Sequence, residues 1–154
     1  MTSQAALSFH RVPGPELRAG ELQELLRLRA SVFVVEQQAA FQEVDGRDLE
    51  PETRHLWLSR VDGELVAYLR VLAEPGGVWR IGRVCTAANA RRSGLAARLM
   101  TSAMTEIGTA ECVLDAQVTA LELYRRFGFH IEGQEYLDED GIPHIRMRRP
   151  ARDA

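Results

Sequence analysis

The stretch RRSGLA at residues 91–96 joins a predicted strand, residues 78–86, to a predicted helix, residues 93–107. Small residues at the start of a helix leave backbone N–H groups without partners, and the helix dipole gives these groups positive character. Such a turn suits a phosphate or a pyrophosphate, and Arg91 and Arg92 add positive charge. An ordinary strand-to-helix turn with solvated arginines is equally compatible with this stretch.

The segments on either side of this turn alternate between strand and helix patterns. The apolar spacing of helices covers residues 16–29 and 93–107, and a Thr119–Glu122 capping box opens a third helix that runs to Phe127. The pattern of strands covers residues 5–12, 55–61, 64–72, 78–86, 111–116, 129–137 and 142–148. Asp-Gly pairs mark two hairpins, so we expect an α/β fold with a mixed, mostly antiparallel sheet and flanking helices.

Composition and charge exclude several classes of protein. The 154 residues suit a single domain, residues 1–154, and 45% are hydrophobic, which is enough for a core. The tail, residues 150–154, is expected to be loose. All 19 basic residues are Arg, which excludes a Schiff-base lysine and a Walker A lysine. The net charge of −3 lacks the basic excess of a nucleic-acid-binding protein, so no nucleic acid is expected.

The sequence also predicts neither a metal site nor a membrane segment. Two cysteines cannot form a four-Cys zinc site, and the four histidines show no ligand spacing. No apolar run is long enough to span a membrane, and the first residues lack the features of a signal peptide. We therefore expect a soluble cytoplasmic protein with no membrane partner. A monomer and a homodimer both remain open.

Two motifs, in this order and at this spacing, resemble the GNAT superfamily of N-acetyltransferases. Arg91, Gly94 and Ala96 match its acetyl-CoA signature, Arg/Gln-x-x-Gly-x-Gly/Ala, after the fourth strand. Its later motif is Asn-x-x-Ala, then Tyr four residues on, then Gly-Phe. The corresponding residues here are Gln117, Ala120, Tyr124, Gly128 and Phe129. Ala96 stands in place of the more usual Gly, and Gln117 in place of the usual Asn.

Longer strings resemble one branch of this superfamily, the ElaA-like acetyltransferases. They are VFVVEQQ at 32–38, VDG at 44–46, DL at 48–49, IGRV at 81–84 and DGIPHI at 140–145. The resemblance extends from the first helix to the last strand. It implies a GNAT-type sheet in which strands 4 and 5 splay apart to form a cleft for coenzyme A.

The resemblance also implies the contacts with acetyl-CoA, the acyl-donor substrate. The pyrophosphate would be held at Arg91 and by the backbone N–H groups of Arg92, Ser93, Gly94, Leu95, Ala96 and Ala97. The main chain of Val84, Cys85 and Thr86 would bind the pantetheine arm. Gln117 would hold a pantetheine amide from the other side, and its longer side chain departs from the usual Asn.

The implied reaction moves an acetyl group from acetyl-CoA to a primary amine by direct attack. Tyr124 would donate a proton to the departing sulfur, and a backbone N–H between Val84 and Thr86 would polarise the thioester carbonyl. Cys85 is expected to be a buried strand cysteine rather than an acetyl carrier. The acceptor stays open between a small amine, a polyamine and a peptide. An acyl-CoA-binding sensor without transferase activity is the alternative, although such a binder has no need of Tyr124.

The general base is not fixed by the sequence. Glu36, His55 and His144 are the leading candidates. Glu43, Asp45 and Asp48 are further candidates, and a water relay is an alternative. The acidic residues of 43–52 either form a flexible, solvated loop or attract a cationic acceptor. Arg83 lies within a predicted strand, where an unpaired charge is costly. It is expected to pair with one of these acids or to contact a substrate carboxylate.

Overall fold

The computed structural model describes residues 6–38, 42–138 and 141–153 and contains a seven-stranded sheet. Its strands are β1 (Ser8–Pro13), β2 (Arg54–Ser59), β3 (Leu65–Glu74), β4 (Val78–Thr86), β5 (Cys112–Gln117), β6 (His130–Leu137) and β7 (Pro143–Arg149). The helices are α1 (Ala19–Arg29), a π-helix (Ala30–Glu36), α2 (Leu95–Ile107) and α3 (Leu121–Arg125). The strand order is β1-β2-β3-β4-β5-β7-β6, and β4–β5 is the parallel pair. The prediction of a mixed, mostly antiparallel sheet is confirmed.

Strands β4 and β5 part after a short paired region. Within the described residues they pair only at Trp79–Cys112 and Arg80–Val113. The register of β4 against β3 shifts between Tyr68–Cys85 and Arg70–Gly82, and Arg83 in this bulge has a φ of +54°. A bulge bends its strand and changes the direction of its side chains. The two strands therefore diverge and leave an open cleft, as predicted.

Successive side chains of each strand point to opposite faces of the sheet, and a hydrophobic core lies on each face. In β2, Leu56 and Leu58 pack with α2, whereas Trp57 points to the opposite face and packs with α1 and the π-helix. The apolar stripe of α2 fills the first core, with Leu95, Leu99, Met100, Ala103 and Ile107 buried. The second core holds Leu25, Leu28, Val32, Phe33, Tyr68 and Cys85.

Two helical segments differ from the prediction at their ends. The predicted first helix ends at residue 29, but the π-helix, Ala30–Glu36, continues it. The Thr119–Glu122 capping box is wrong, because Ala120 precedes α3 without a capping side chain and Glu122 instead pairs with Arg125 at 2.5 Å. Residue 5, the predicted start of the first strand, lies outside the described residues. The same is true of residues 39–41, Asp140 and Ala154.

The acidic segment packs onto buried arginines. Arg29 is fully buried, with Nη1 2.7 Å from Asp48 Oδ1, and Arg70 contacts the same oxygen at 3.1 Å. Arg70 also pairs with Asp45 at 2.5 Å. Arg83 pairs with Glu43 at 2.6 Å, so the expectation that Arg83 pairs with one of these acids is confirmed.

Three positive charges therefore face three carboxylates in this buried network: Arg29, Arg70 and Arg83 against Glu43, Asp45 and Asp48. The interpretation of this segment as a flexible, solvated loop is wrong for the described residues 42–53, because Glu43 and Asp48 are buried. The interpretation as a cation-attracting surface also fails for these three acids, since arginines neutralise them.

We expect Asp48→Asn to lower the free energy of unfolding at pH 7 by about 3 kcal/mol, because it removes one charge of a buried ion pair. Burial opposes ionisation of Asp48, but hydrogen bonds from Arg29 and Arg70 outweigh it and lower the pKa. The stabilisation is therefore present above the unfolded pKa of about 4 and is lost as the pH falls through the lower folded pKa. Urea denaturation at a series of pH values measures it.

The matched control is Asp62→Asn in the exposed β2–β3 turn, which is expected to change stability by less than about 0.5 kcal/mol. The difference between wild type and Asp48→Asn should shrink as the solution is acidified. A loss below about 1 kcal/mol at pH 7 would contradict a tightly coupled buried network.

Candidate active site

A cleft of about 600 Å³ lies between the parted strands β4 and β5. The π-helix, α3 and the β6–β7 hairpin complete its walls. It brings together most of the predicted site residues, namely Glu36, Val84, Cys85, Thr86, Arg91, Ala96, Gln117, Tyr124 and His144. Arg92, Ser93, Gly94, Leu95 and Ala97 lie in the adjoining turn and the first turn of α2.

The turn before α2 has the backbone of an anion cradle. Arg92 and Gly94 have positive φ angles, +64° and +72°, and Gly94 precedes α2 without a capping side chain. A Cβ at Gly94 would meet no atom within 4 Å, so the turn requires Gly for its φ angle rather than for space. Alternating backbone conformations of this kind direct successive N–H groups into one concavity. Among the described residues, no side chain caps the N–H groups at this helix start.

Tyr124 on α3 presents a buried phenol to the cleft. Its side chain is 7% exposed, and its ring packs edge-on against Phe129 with centroids 6.4 Å apart. Burial raises the pKa of the Tyr124 hydroxyl to about 12. The hydroxyl therefore keeps its proton at neutral pH and can donate it.

Cys85 on β4 is also in the cleft wall but is a poor nucleophile. It is 6% exposed, and burial raises the pKa of its thiol to about 12. The thiolate is the reactive form of cysteine, and little of it forms at neutral pH. This matches the expectation of a buried strand cysteine.

His144 on β7 is held in one orientation by its own hairpin. Its Nδ1 lies 3.1 Å from Asp138 Oδ2 and 2.9 Å from the Ile142 carbonyl oxygen. Tyr136 stacks on the imidazole, with centroids 5.9 Å apart and an interplanar angle of 22°. The ladder pairs His144 with Gln117 on one side and with Tyr136 on the other. These residues form a polar row across the cleft wall.

Glu36 forms an ion pair with a second predicted site residue. Both of its oxygens accept from Arg91, at 2.5 and 2.7 Å. These hydrogen bonds lower the pKa of the Glu36 carboxyl. A carboxylate that is stabilised in this way is a weaker proton acceptor, so Glu36 fits the role of a general base poorly.

The comparisons with known proteins agree with this geometry. The acetyltransferase (GNAT) domain family matches residues 21–150. The chain belongs to the GNAT family. Among its relatives, a UPF0039 protein of Mycobacterium tuberculosis is 47% identical over 146 residues, covering 93% of each chain. The ElaA protein of Escherichia coli is 39% identical over 141 residues, covering 87% of this chain and 90% of ElaA.

Solved structures place this GNAT chain in the same branch. The crystal structure of Escherichia coli ElaA has a TM-score of 0.86 and 34% identity, and it covers 94% of this chain and 99% of ElaA. An acyl-CoA N-acyltransferase from Pseudomonas aeruginosa has a TM-score of 0.87 and 42% identity, with the same coverage of 94% and 99%. The predicted resemblance to ElaA-like GNAT proteins is confirmed, and the family supports acyl transfer in general.

His55 is the predicted site residue that this GNAT fold places away from the cleft. It is fully buried in β2, with Nδ1 2.6 Å from the Tyr68 hydroxyl and Nε2 2.7 Å from the Asp48 carbonyl oxygen. A carbonyl only accepts, so Nε2 carries the hydrogen and Nδ1 accepts from Tyr68. Burial lowers the pKa of His55. The neutral imidazole links the acidic segment to the sheet through its hydrogen bond to the Asp48 carbonyl oxygen. The expectation that His55 acts as the base is therefore corrected.

Among the groups that line the cleft of this GNAT protein, sequence reasoning missed Gln37, Asp115 and Tyr136. Asp115 pairs with Arg80 at 2.7 Å across the parallel strands. Tyr136 had a usable signal, because alternation along the second hairpin puts it opposite His144. In the described part of the chain, no helix is long and apolar enough to cross a membrane. The same residues contain no cluster of three or more metal-ligating side chains.

Proposed function

We propose that this GNAT protein transfers an acetyl group from acetyl-CoA to a primary amine by direct attack. The observation that carries the proposal is that one cleft, between β4 and β5, is lined by both Tyr124 and His144. A buried phenol that keeps its proton and an oriented imidazole are the acid and the base that amide formation needs. The anion cradle at the start of α2 supplies a place for the donor's phosphates.

The cleft has groups suited to each part of the donor. Acetyl-CoA supplies the thioester carbonyl and a thiol leaving group. The pyrophosphate would lie on the N–H groups of residues 92–97, beside Arg91. The main chain of Val84, Cys85 and Thr86 and the side-chain amide of Gln117 would hold the pantetheine arm between the two parted strands. The bulge at Arg83 lies next to Val84, and a backbone N–H between Val84 and Thr86 would polarise the carbonyl.

His144 is the base that the geometry favours. Its Nδ1 lies beside a carboxylate oxygen and a carbonyl oxygen, both of which accept hydrogen bonds, so Nδ1 carries the hydrogen. In a neutral imidazole this leaves the lone pair on Nε2. Asp138 thus acts as a positioning residue that fixes the tautomer, and Nε2 accepts a proton from the acceptor ammonium.

The proton and electron balance then closes without a covalent enzyme intermediate. The amine nitrogen forms a bond to the carbonyl carbon, and the carbon–sulfur bond breaks. The Tyr124 hydroxyl gives its proton to the sulfur. The second proton, which the new amide nitrogen must lose, goes to solvent, and solvent restores the proton of Tyr124 and removes the one held by His144. Cys85 takes no part, because its thiol remains protonated. The acceptor is a small amine, a polyamine or a peptide. Because Glu43, Asp45 and Asp48 are paired with arginines, these three acids do not select a cation.

Thiol release from acetyl-CoA, measured with a panel of primary amines and N-terminal peptides, tests this function. We expect turnover with at least one primary amine and an N-acetylated product by mass spectrometry. The tertiary-amine analogue of that acceptor serves as the matched control and should give no product, since its nitrogen has no hydrogen to lose. Tight CoA binding with no turnover on any acceptor would contradict the transferase and favour an acyl-CoA sensor.

A further inference from the structure

A hydrogen bond between two glutamines joins the two walls of the cleft. Gln117, the last residue of β5, donates from Nε2 to Gln37 Oε1 at 3.1 Å. Gln37 directly follows the π-helix, whose Val32 and Phe33 pack in the same core as Tyr68 of β3 and Cys85 of β4. The contact therefore links the β4 side to the β5 side in the part of the cleft where the strands no longer pair.

Gln37 is held where it can face a molecule in the cleft. Its backbone N–H donates to the Val32 carbonyl oxygen at 3.0 Å, which closes the last turn of the π-helix. The neighbouring Glu36 is fixed by its two hydrogen bonds to Arg91. Residues 36–37 thus contact two of the predicted donor-binding residues, Arg91 and Gln117.

The hydrogen-bonding groups that remain on the pair match an amide. A glutamine side chain offers two N–H donors and one oxygen acceptor. With the single hydrogen bond from Gln117 to Gln37 in place, the side-chain oxygen of Gln117 remains available as an acceptor. Both side-chain N–H groups of Gln37 remain available as donors. An amide in the ligand needs an acceptor for its N–H and a donor for its carbonyl, and the pantetheine arm contains such amides. The two glutamines together supply both.

We infer that Gln37 is a second pantetheine-binding residue, which donates to an amide carbonyl of the acyl donor while Gln117 accepts from its N–H. This inference rests on the proposed function. It also gives a reason for the departure from the family signature at position 117. Asn is one methylene shorter than Gln and would fall short of Gln37, so the longer side chain completes the pair.

Two substitutions at Gln37 test whether its side chain donates a hydrogen bond to the acyl donor or only supports the fold. Gln37→Ala removes the whole amide, and we expect it to weaken CoA binding about three- to tenfold, the usual effect of one hydrogen bond. Gln37→Glu still accepts from Gln117 but has no proton to donate, so we expect it to weaken CoA binding at least as much. Calorimetry gives the Kd, and the KM for acetyl-CoA should rise by the same factor with kcat nearly unchanged.

The nucleotide half of the donor serves as the control ligand. Adenosine 3′,5′-bisphosphate lacks the pantetheine arm, so its Kd should stay within about twofold of wild type in both variants. Equal weakening of this nucleotide by Gln37→Glu would mean that charge repulsion is responsible, and it would overturn the inference. Gln23→Ala, an exposed glutamine on α1, is the matched control variant and should bind both ligands as wild type does.

Two further outcomes separate the inference from the function on which it rests. If Gln37→Glu binds CoA with the wild-type Kd, the glutamine pair is only structural and the inference is overturned, while the proposed function stands. If the wild-type protein binds neither CoA nor the nucleotide, the proposed function fails and the inference fails with it. Thermal unfolding of each variant checks that the fold is intact.

Discussion

We expect Tyr124→Phe to lower kcat about 10²–10⁴-fold and to leave the Kd for CoA within a factor of about two. The substitution removes one oxygen from a ring that stays packed against Phe129, so the shape of the cleft is preserved. What is lost is the proton for the departing sulfur. Steady-state thiol release and calorimetry measure the two quantities separately.

The pH dependence gives this prediction a second readout. The hydroxyl acts in its protonated form, and burial raises its pKa to about 12. Raising the pH from 7 to 10 should therefore cause no loss of rate through ionisation of Tyr124. Unchanged kcat in Tyr124→Phe would contradict its role as the acid.

Tyr68→Phe is the matched control for Tyr124→Phe. Tyr68 is fully buried, and its hydroxyl lies 2.6 Å from His55 Nδ1, away from the cleft. Its removal leaves a buried imidazole nitrogen without its donor, which should lower the free energy of unfolding by about 1–3 kcal/mol. Below the unfolding temperature kcat should be retained, so the two tyrosines separate catalysis from stability.

We expect His144→Gln to lower kcat/KM at neutral pH by about 10²-fold or more, because glutamine has no side-chain nitrogen that accepts a proton. The measurement is steady-state kcat/KM with the best acceptor found for the wild type.

His130→Gln provides the control for His144→Gln. His130 is exposed on β6 of the same hairpin and does not line the cleft. We expect its kcat/KM to match that of the wild type. If His144→Gln keeps the wild-type kcat/KM, another group or a water relay removes the proton, and the assignment of the base is wrong.

Local patterns explain why most of the fold was predictable. The Asp-Gly turn at residues 62–63 and the four-residue spacing in α2 each fix an element from neighbours in the sequence. The Asp138–His144 pair lies within one hairpin, so its residues are also close in the sequence. These signals are strong because the interactions that produce them are short in range.

Contacts between distant residues had no such signal. The Gln37–Gln117 bond joins residues 80 positions apart, and the Arg29–Asp48 pair joins residues 19 apart. One signal was available within the sequence, because Arg70 interrupts the apolar run from Leu65 to Ala73 in β3. A buried Arg needs carboxylates, and the acidic segment was the available source. The bulge at Arg83 was hidden because a positive φ angle is expected at Gly rather than at Arg.

A crystal structure with acetyl-CoA is the most direct test of where the donor lies. We predict that the pantetheine arm runs between Thr86 and Gln117, that the phosphates lie on the turn before α2, and that the sulfur contacts the Tyr124 hydroxyl. His144 Nε2 should face the thioester from the acceptor side. Acetyl-CoA bound outside the β4–β5 cleft, or a thioester remote from both Tyr124 and His144, would contradict the proposed acetyl transfer.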